Sequence, residues 1–423
     1  MRARNWMLGV GLALCIAGPA GAQALKLRLM SSGASNVVGY APQRLALSAV
    51  RPAFVTKTPG GLVAPKYAVL RMGPAESRRE YAVLLDEPEQ ADSRLWVDTN
   101  GDGDLTNDPP AEWQKREMAG SGGKTMVTYF GGATVLVQSG SKPTPLHLGF
   151  YKFDRNDPMR AALKDTLLFY ADYALQGTLT LGSEVFPVML VDNQATGDFR
   201  SAVAAEGAKA AAVVRLLIDR NQDGRFASVG ETFDASKPFT LNGTTYEVRL
   251  GDAFGTGARL VKSSVTVAEV PAPPDLRVGK VAPSFEAKTT DGAVIQVPGS
   301  YKGKLVLLDF WATWCGPCVG EIPGLVKAYE KYHGRGFEVL GVSLDQANMA
   351  ERLAAFTREK GMPWPQIYDG KYWRAEIAQK FGIDSIPAPF LVDGTTGRIL
   401  ARGAELRGAN LEKTLEEKLS SRR

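Results

Sequence analysis

Short runs of alternating or β-branched apolar residues dominate the chain from residue 24 to about residue 270. Gly, Asn, Asp and Pro separate these runs, which is the pattern of β-strands joined by turns. The clearest runs are 67–71, 81–85, 185–191 and 245–250. The sequence therefore predicts a mostly β region over 24–270.

A proline cluster, Val270-Pro-Ala-Pro-Pro-Asp275, follows the β region. Proline-rich segments are extended and semi-rigid, so we predict a linker at 271–275. After the linker, strand-like runs alternate with helix-like segments. Strands are predicted at 305–310, 337–342 and 390–392, and helices after 318 and at 349–360 and 411–419. This alternation predicts an α/β domain over 276–423, with helices covering a sheet.

One pattern occurs twice within the β region. Arg94-Leu95-x-x-Asp98-x-Asn100-x-Asp102-Gly103 returns as Arg215-Leu216-x-x-Asp219-x-Asn221-x-Asp223-Gly224. Each copy follows an apolar run that ends in an aspartate, at Asp86 and at Asp192. Duplication of a β-hairpin unit is the simplest explanation, and it predicts two related subdomains within 24–270.

The segment 1–22 has the features of a secretory signal peptide. Two arginines precede an apolar stretch at 6–17, and small residues fit a cleavage site after Ala22. The apolar stretch is shorter than the roughly 20 residues that span a bilayer, which disfavours a membrane anchor. Leu14 stands before Cys15, where lipoprotein signals have a small residue. We therefore expect export to the periplasm or cell envelope, with no membrane span in the mature chain.

Composition and cysteine count remove several classes of protein. The formal net charge is +5 without a block of Lys or Arg, so nucleic acid is not an expected partner. Cleavage of the signal leaves only Cys315 and Cys318. A bridge that closes so short a loop adds little stability. Zinc is disfavoured as well, because His147 and His333 are the only histidines and lie in no paired spacing.

The segment Trp314-Cys315-Gly316-Pro317-Cys318 follows a predicted strand and begins a predicted helix. Unpaired backbone N–H groups and the helix dipole favour a thiolate at this position. Proline suits the first turn of a helix, where no N–H is needed. We expect Cys315 to be the exposed nucleophile. Cys318, one turn further and shielded, is expected to resolve a mixed disulfide.

The stretch Val306-Leu-Leu-Asp-Phe-Trp-Ala-Thr-Trp-Cys-Gly-Pro-Cys318 resembles the thioredoxin superfamily. Gly279-Lys-Val-Ala-Pro-Ser-Phe285 and Asp291-Gly292 are similar to its exported TlpA/ResA-like branch of thiol-disulfide oxidoreductases. The likeness covers about 276–420. It implies a thioredoxin-like fold, a redox-active disulfide between Cys315 and Cys318, and no cofactor for the redox step. The implied partners are protein thiols or disulfides and an electron donor or acceptor protein.

The resemblance also implies residues that assist the cysteines. A cis-proline faces the pair in this family, and Pro387 occupies the matching position. Asp309 matches the buried Asp of thioredoxins, and Glu321 resembles the cavity Glu of the exported branch. A carboxyl group buried near a thiol has a raised pKa and can exchange a proton near neutral pH. Either carboxyl group is a candidate for this role, and Glu321 has the alternative of a solvated helix residue. The predicted supporting residues are Trp314, Gly316 and Pro317.

Two acidic loops have the oxygen-donor spacing of calcium loops. The donors are Asp98, Asn100, Asp102 and Asp104 in the first loop and Asp219, Asn221 and Asp223 in the second. Position twelve, which is normally Glu, is Pro109 or Gly230, with Glu112 and Glu231 nearby. Proline excludes an exit helix, so a bound Ca²⁺ would be structural. The alternative is a pair of Asx-rich hairpin turns without a metal.

These observations favour an exported thiol-disulfide oxidoreductase, specifically a protein disulfide reductase, whose β region recruits the substrate. A peroxiredoxin-like peroxidase is less favoured, because Leu308 and Ala312 stand where the peroxidase motif has Pro and Thr. The other alternative is a calcium-stabilised binding or scaffold protein of the envelope with a secondary redox domain.

Overall fold

The computed structural model describes residues 22–119, 125–139, 142–200 and 213–421. The predicted signal peptide lies outside these residues, apart from its last position. The chain divides into two compact units, one formed within 1–185, 189–215 and 234–269 and the other within 186–188, 216–233 and 270–423. The domain and linker boundaries predicted above stay a prediction.

The chain before residue 270 is built mainly from strands, which confirms the predicted β character. The strands are β1 (Gln23–Met30), β2 (Gln43–Ala46), β3 (Pro65–Met72), β4 (Arg79–Asp86), β5 (Arg94–Val97), β6 (Glu112–Ala119), β7 (Thr125–Ser139), β8 (Lys142–Phe153), β9 (Thr166–Ala171), β10 (Ala174–Leu181), β11 (Glu184–Asp192), β12 (Val214–Ile218), β13 (Thr232–Asp234), β14 (Phe239–Leu241), β15 (Thr244–Arg249) and β16 (Arg259–Lys262). A short helix, α1 (Ser35–Val38), and a 3₁₀ helix (Pro158–Leu163) interrupt them.

These strands form three sheets. Their orders are β13-β12-β11-β10-β1-β16-β15-β14, β2-β9-β8-β7-β6 and β3-β4-β5. The central strand β4 is buried from Tyr81 to Asp86, which explains its continuous apolar run. Its partner β3 is less completely buried, and its sequence contains both polar and apolar residues.

The C-terminal part is the predicted α/β domain. Its strands are β17 (Phe285–Lys288), β18 (Val294–Val297), β19 (Leu305–Trp311), β20 (Phe337–Ser343), β21 (Gln366–Tyr368), β22 (Ala388–Asp393) and β23 (Ile399–Arg402). Its helices are α2 (Gly316–Tyr332), α3 (Ala350–Glu359), α4 (Glu376–Lys380) and α5 (Ala409–Ser420). Four 3₁₀ helices also occur, at Gly299–Tyr301, His333–Arg335, Tyr372–Arg374 and Gly403–Leu406.

A five-stranded sheet in the order β21-β20-β19-β22-β23 forms the centre of this domain. Strand β19 pairs in parallel with β20 and antiparallel with β22, so it lies in the middle of the sheet. Helix α2 buries Cys318, Ile322, Leu325, Ala328 and Tyr332. Their spacing of three or four residues places them on one helix face, which packs into the main core. Cys318 therefore faces inward as a consequence of helix periodicity.

No helix within the described ranges is long and apolar enough to cross a membrane.

Candidate active site

Cys315 and Cys318 form a disulfide with an S–S distance of 2.00 Å and a Cα–Cα distance of 5.2 Å. Cys315 is the N-cap of α2, with an extended backbone at φ −84° and ψ 96°, and Pro317 lies in the first turn. The backbone N–H of Cys318 donates to Cys315 Sγ at 3.2 Å. The strand, turn and helix thus place the pair at a helix N-terminus, as the sequence predicts.

The predicted difference in exposure between the two cysteines is wrong for this oxidised form. Cys315 is 5% exposed and Cys318 is 4% exposed. The reason is that the disulfide joins their sulfur atoms and both residues belong to the hydrophobic core. Their surroundings do differ, because Cys318 lines a small cavity whose lining does not include Cys315.

The loop before Cys315 is held by a buried carboxylate that sequence reasoning missed. Asp345 is fully buried and accepts hydrogen bonds from the Thr313 hydroxyl at 2.6 Å and from the Ser343 hydroxyl at 2.8 Å. The Thr313 amide also donates to it, at 3.2 Å. The available signal was topological, since β19 and β20 are parallel neighbours and their carboxyl ends meet at one edge of the sheet.

The two tryptophans near the cysteines have different roles. Trp311 is buried, and its indole N–H donates to Gln366 Oε1 at 3.0 Å. Trp314 is 44% exposed and contacts the rings of Tyr372 and Trp373, with centroid distances of 5.2 and 5.8 Å. The structure therefore places an accessible aromatic cluster next to Cys315, and two of its members were not predicted.

The Ile386–Pro387 peptide bond is cis, in agreement with the prediction for Pro387. Pro387 precedes β22, the strand that pairs with β19, and it lines the same cavity as Cys318. A second cis bond, Val297–Pro298, was not predicted.

Both predicted carboxyl groups line that cavity. Its volume is about 30 Å³, which is enough to hold a water molecule. Burial raises the pKa of Asp309 to about 7, the negative charge of Glu321 raises it as well, and the positive charge of Arg407 opposes both. The cavity is lined by Leu307, Asp309, Cys318, Glu321, Gly324, Leu325, Pro387, Pro389, Leu406, Arg407, Gly408 and Leu411.

Glu321 is held by two groups that the sequence did not suggest. Arg407 Nε donates to Glu321 Oε1 at 3.1 Å, and the Gly408 amide donates to Glu321 Oε2 at 2.9 Å. The side chains of Glu321 and Arg407 are 34% and 38% exposed. Glu321 is therefore a paired carboxylate at the edge of the cavity, rather than a freely solvated helix residue.

The first acidic loop is closed by its own side chains. Asp98 is fully buried and accepts hydrogen bonds from the amides of Gly101 and Gly103, at 2.7 and 3.0 Å. Asx turns involve the other donors: Asn100 accepts from Asp102 N, Asp102 from Asp104 N, and Asp104 from Thr106 N. Asp104 also pairs with Lys57 at 2.6 Å.

The second loop resembles the first in its local bonds. Asp219 accepts from the amides of Asp223 and Gly224, and Asn221 accepts from Asp223 N. Glu231 is buried and accepts from three backbone amides, those of Arg220, Asn221 and Ala227.

Across the part of the chain that the structure describes, no group of three or more His, Cys, Asp or Glu residues is arranged to hold a metal ion. The observed contacts are those of the Asx-turn alternative. Calcium binding by either loop stays a prediction.

The fold and the disulfide together define a thioredoxin-like redox domain. The model of the AhpC/TSA family matches residues 278–399. The thiol-disulfide oxidoreductase ResA of Bacillus thuringiensis subsp. konkukian is 31% identical over 144 residues, which are 34% of this chain and 78% of that protein. The ResA protein of a Bacillus cereus strain matches to the same extent. The chain therefore belongs to the ResA family of thiol-disulfide oxidoreductases.

A solved structure of the thioredoxin domain of a thiol-disulfide oxidoreductase from Bacteroides vulgatus is 33% identical, with a TM-score of 0.31. It covers 34% of this chain and 99% of that one. The family predicted from the motif around Cys315 is confirmed by the relatives in Bacillus.

Proposed function

We propose that this chain is an exported protein disulfide reductase that cycles Cys315 and Cys318 between dithiol and disulfide. The observation that carries the proposal is the bridge between these two cysteines at the N-terminus of α2, beside a cavity lined by the partly buried carboxyl group of Asp309. Neither a metal nor an organic cofactor is needed, because the two sulfur atoms carry both electrons.

The reaction begins with the reduced enzyme. The Cys315 thiolate attacks one sulfur of a substrate disulfide, so that a mixed disulfide forms and the first substrate thiolate leaves. Cys318 then loses its proton, and its thiolate attacks Cys315 Sγ. The second substrate thiolate leaves, and the Cys315–Cys318 disulfide is formed. Both substrate thiolates take up protons, and a partner dithiol afterwards reduces the enzyme by the reverse exchange.

Two features support Cys315 as the attacking residue. Thiolates at helix N-termini are stabilised by the helix dipole and by free backbone N–H groups. The Cys318 amide already donates to Cys315 Sγ at 3.2 Å, and the same donor can stabilise the thiolate after reduction. Cys318 faces the cavity with Asp309 and Glu321, which suits the residue that must lose a proton during the cycle.

The proposed location, periplasm or cell envelope, rests on the signal features of residues 1–22. The proposed role of the β region is recruitment of the substrate. A half-open recess of about 750 Å³ in that region can take up a side chain or a short segment of a substrate protein, which supports this role. Its lining includes both charged and aromatic side chains, among them Glu112, Arg116, His147, Tyr170 and Asp172.

Trapping of the mixed disulfide tests the proposal. The full-length mature chain carrying Cys318→Ser is expected to accumulate a covalent complex with an oxidised protein substrate on non-reducing gels. Cys315→Ser is expected to trap nothing and to lose disulfide reduction. Equal trapping by both variants, or reduction that survives Cys315→Ser, would contradict the assigned roles.

Assays of the wild type and of the Cys315→Ser variant separate the alternatives. Rapid turnover of hydrogen peroxide by the wild type without disulfide exchange would favour a peroxidase. A β region that captures a partner equally well in the Cys315→Ser variant, in a protein inactive toward disulfides, would favour a binding or scaffold protein. Equilibration with glutathione gives the reduction potential, and a low value supports a reductase whereas a high one supports an oxidase.

A further inference from the structure

Two carboxyl groups lie at the cavity beside Cys318, and only one of them has a cationic partner. Glu321 is bound by Arg407 Nε at 3.1 Å and by the Gly408 amide at 2.9 Å, so each of its oxygens accepts a hydrogen bond. Asp309 lies on strand β19, whose other residues are buried; it is itself only partly buried and lines the cavity. The two carboxyl groups, which are equivalent candidates in the sequence, therefore differ in their hydrogen-bonding partners in the structure.

The position of Arg407 is set by the backbone around it. It follows the 3₁₀ helix Gly403–Leu406 and precedes α5, whose N-cap is Gly408. Gly408 has φ 52°, in the left-handed region that favours glycine, and its N–H group binds Glu321. One turn of chain therefore supplies both donors to Glu321.

The charged and titratable groups at the cavity come from three elements. Asp309 is on β19, Cys318 and Glu321 are on α2, and Arg407 is in the turn before α5. The segment around Pro387 and Pro389 contributes no titratable side chain to the lining. Each oxygen of Glu321 is already engaged by a donor, Arg407 Nε or the Gly408 amide, whereas Asp309 forms no ion pair with these groups.

We propose that Arg407 is a positioning residue of the thiol-exchange site, which together with the Gly408 amide engages both oxygens of Glu321 and leaves Asp309 to accept the proton of Cys318. The inference rests on the proposed function. During resolution of the mixed disulfide, the S–H bond of Cys318 breaks and its proton passes to an Asp309 oxygen, directly or through one water molecule. The Cys318 thiolate then attacks Cys315 Sγ, and Asp309 later returns the proton to solvent.

The proposal makes the charges of Arg407 and Glu321 act in opposite directions on Asp309. Loss of the positive charge makes ionisation of Asp309 harder, whereas loss of the negative charge makes it easier. The test measures the single-turnover rate at which the reduced, full-length mature chain resolves its mixed disulfide with oxidised glutathione, between pH 5 and 9. In the wild type, the rate is expected to rise with pH as Asp309 ionises.

Arg407→Gln is expected to move the midpoint of this rise to higher pH by roughly half to one unit, the size expected of one partly exposed charge near a partly buried carboxyl group. Glu321→Gln is expected to move it to lower pH, the double variant to return it toward the wild type, and Asp309→Asn to abolish it. Opposite shifts cannot come from general damage to the fold, which would slow both variants alike.

Arg335→Gln is the matched control. It removes an arginine of similar exposure that pairs with Glu416 at 2.8 Å on the surface of the same domain, and its profile is expected to overlay that of the wild type. If Arg407→Gln does not fold, Glu321→Gln and Arg407→Lys carry the test. Because lysine keeps the positive charge, Arg407→Lys is expected to shift the midpoint by less than Glu321→Gln does.

An unshifted profile in both Arg407→Gln and Glu321→Gln would overturn the role of Arg407. The role of Arg407 would also be overturned if the rise of the rate with pH survived in Asp309→Asn and disappeared in Glu321→Gln, because Glu321 would then be the proton acceptor. A wild-type chain that exchanges no disulfide at any pH would instead overturn the proposed function, so the two failures are distinct.

Discussion

Replacement of Asp309 by Asn is expected to stabilise the folded protein at alkaline pH. Asp309 lies on the buried central strand β19, and its pKa is raised from 3.8 to about 7, chiefly by burial. Asp309 is partly buried, and a desolvated carboxylate that lacks a direct cationic partner disfavours the folded state once it is ionised. Asn has nearly the same shape and never carries the charge.

The pH dependence follows from the direction of the shift. Below pH 3.8 the carboxyl group is protonated in both the folded and unfolded states, so it adds no penalty. Between that value and about pH 7 it is ionised only in the unfolded chain, and each pH unit lowers the free energy of unfolding by about 1.4 kcal/mol. Above pH 7 the loss stays constant.

A shift of about three pKa units corresponds to a maximum of about 4 kcal/mol. The cavity beside Asp309 can hold a water molecule, which lowers the cost of the buried charge. We therefore expect Asp309→Asn to raise the free energy of unfolding by about 2–4 kcal/mol at pH 8, and by less than about 1 kcal/mol at pH 4.5.

Urea denaturation of the oxidised, full-length mature chain measures this difference, with wild type and variant compared at pH 4.5, 6, 7 and 8. The control is Asp384→Asn, which removes an exposed charge on the loop before Pro387 and is expected to follow the wild type. The reasoning is refuted if the gain from Asp309→Asn is the same at pH 4.5 and pH 8, or if the variant is the less stable protein at pH 8.

Three further predictions concern other parts of the chain. The exported protein is expected to begin near Gln23, and an intact N terminus in its mass spectrum would contradict the predicted signal. Millimolar calcium is expected to raise the melting temperature; a calcium concentration one hundred times Kd would raise the free energy of unfolding by about 2.7 kcal/mol. The double variant Asp98→Ala, Asp102→Ala is expected to lose this gain. A wild-type melting temperature that does not change with calcium would leave only the turn interpretation. Asp345→Ala is expected to cost about 1–3 kcal/mol in denaturation experiments, because it leaves the Thr313 amide without its buried partner. A cost indistinguishable from zero would show that this carboxylate does not hold the loop.

The sequence alone was sufficient for the redox pair and for the class of the domain around it. The Cys-x-x-Cys spacing, the preceding apolar run and Pro317 are local features, and strand β19 and helix α2 follow from residues only a few positions apart. The matching position of Pro387 came from the family pattern, and the structure shows its peptide bond in the cis form.

The exposure of the cysteines and the pairing of Glu321 with Arg407 depended on tertiary structure. Helix position predicted an exposed Cys315, but the bridge to Cys318 and the packing of the core bury both residues. Asp309 and Glu321 each fit the sequence pattern of a proton acceptor, and neither their type nor their spacing distinguishes them.

The contacts that the sequence did not suggest join residues that are distant along the chain. Arg407 and Glu321, which pair at the cavity, are separated by 86 positions, and Asp345 and Thr313, which hold the loop before Cys315, by 32. Periodicity and spacing report on neighbours along a strand or a helix, so they found the cysteines and the elements that hold them. An ion pair between two separate elements exists only after the sheet and helices have packed, because packing alone brings those side chains within hydrogen-bonding distance.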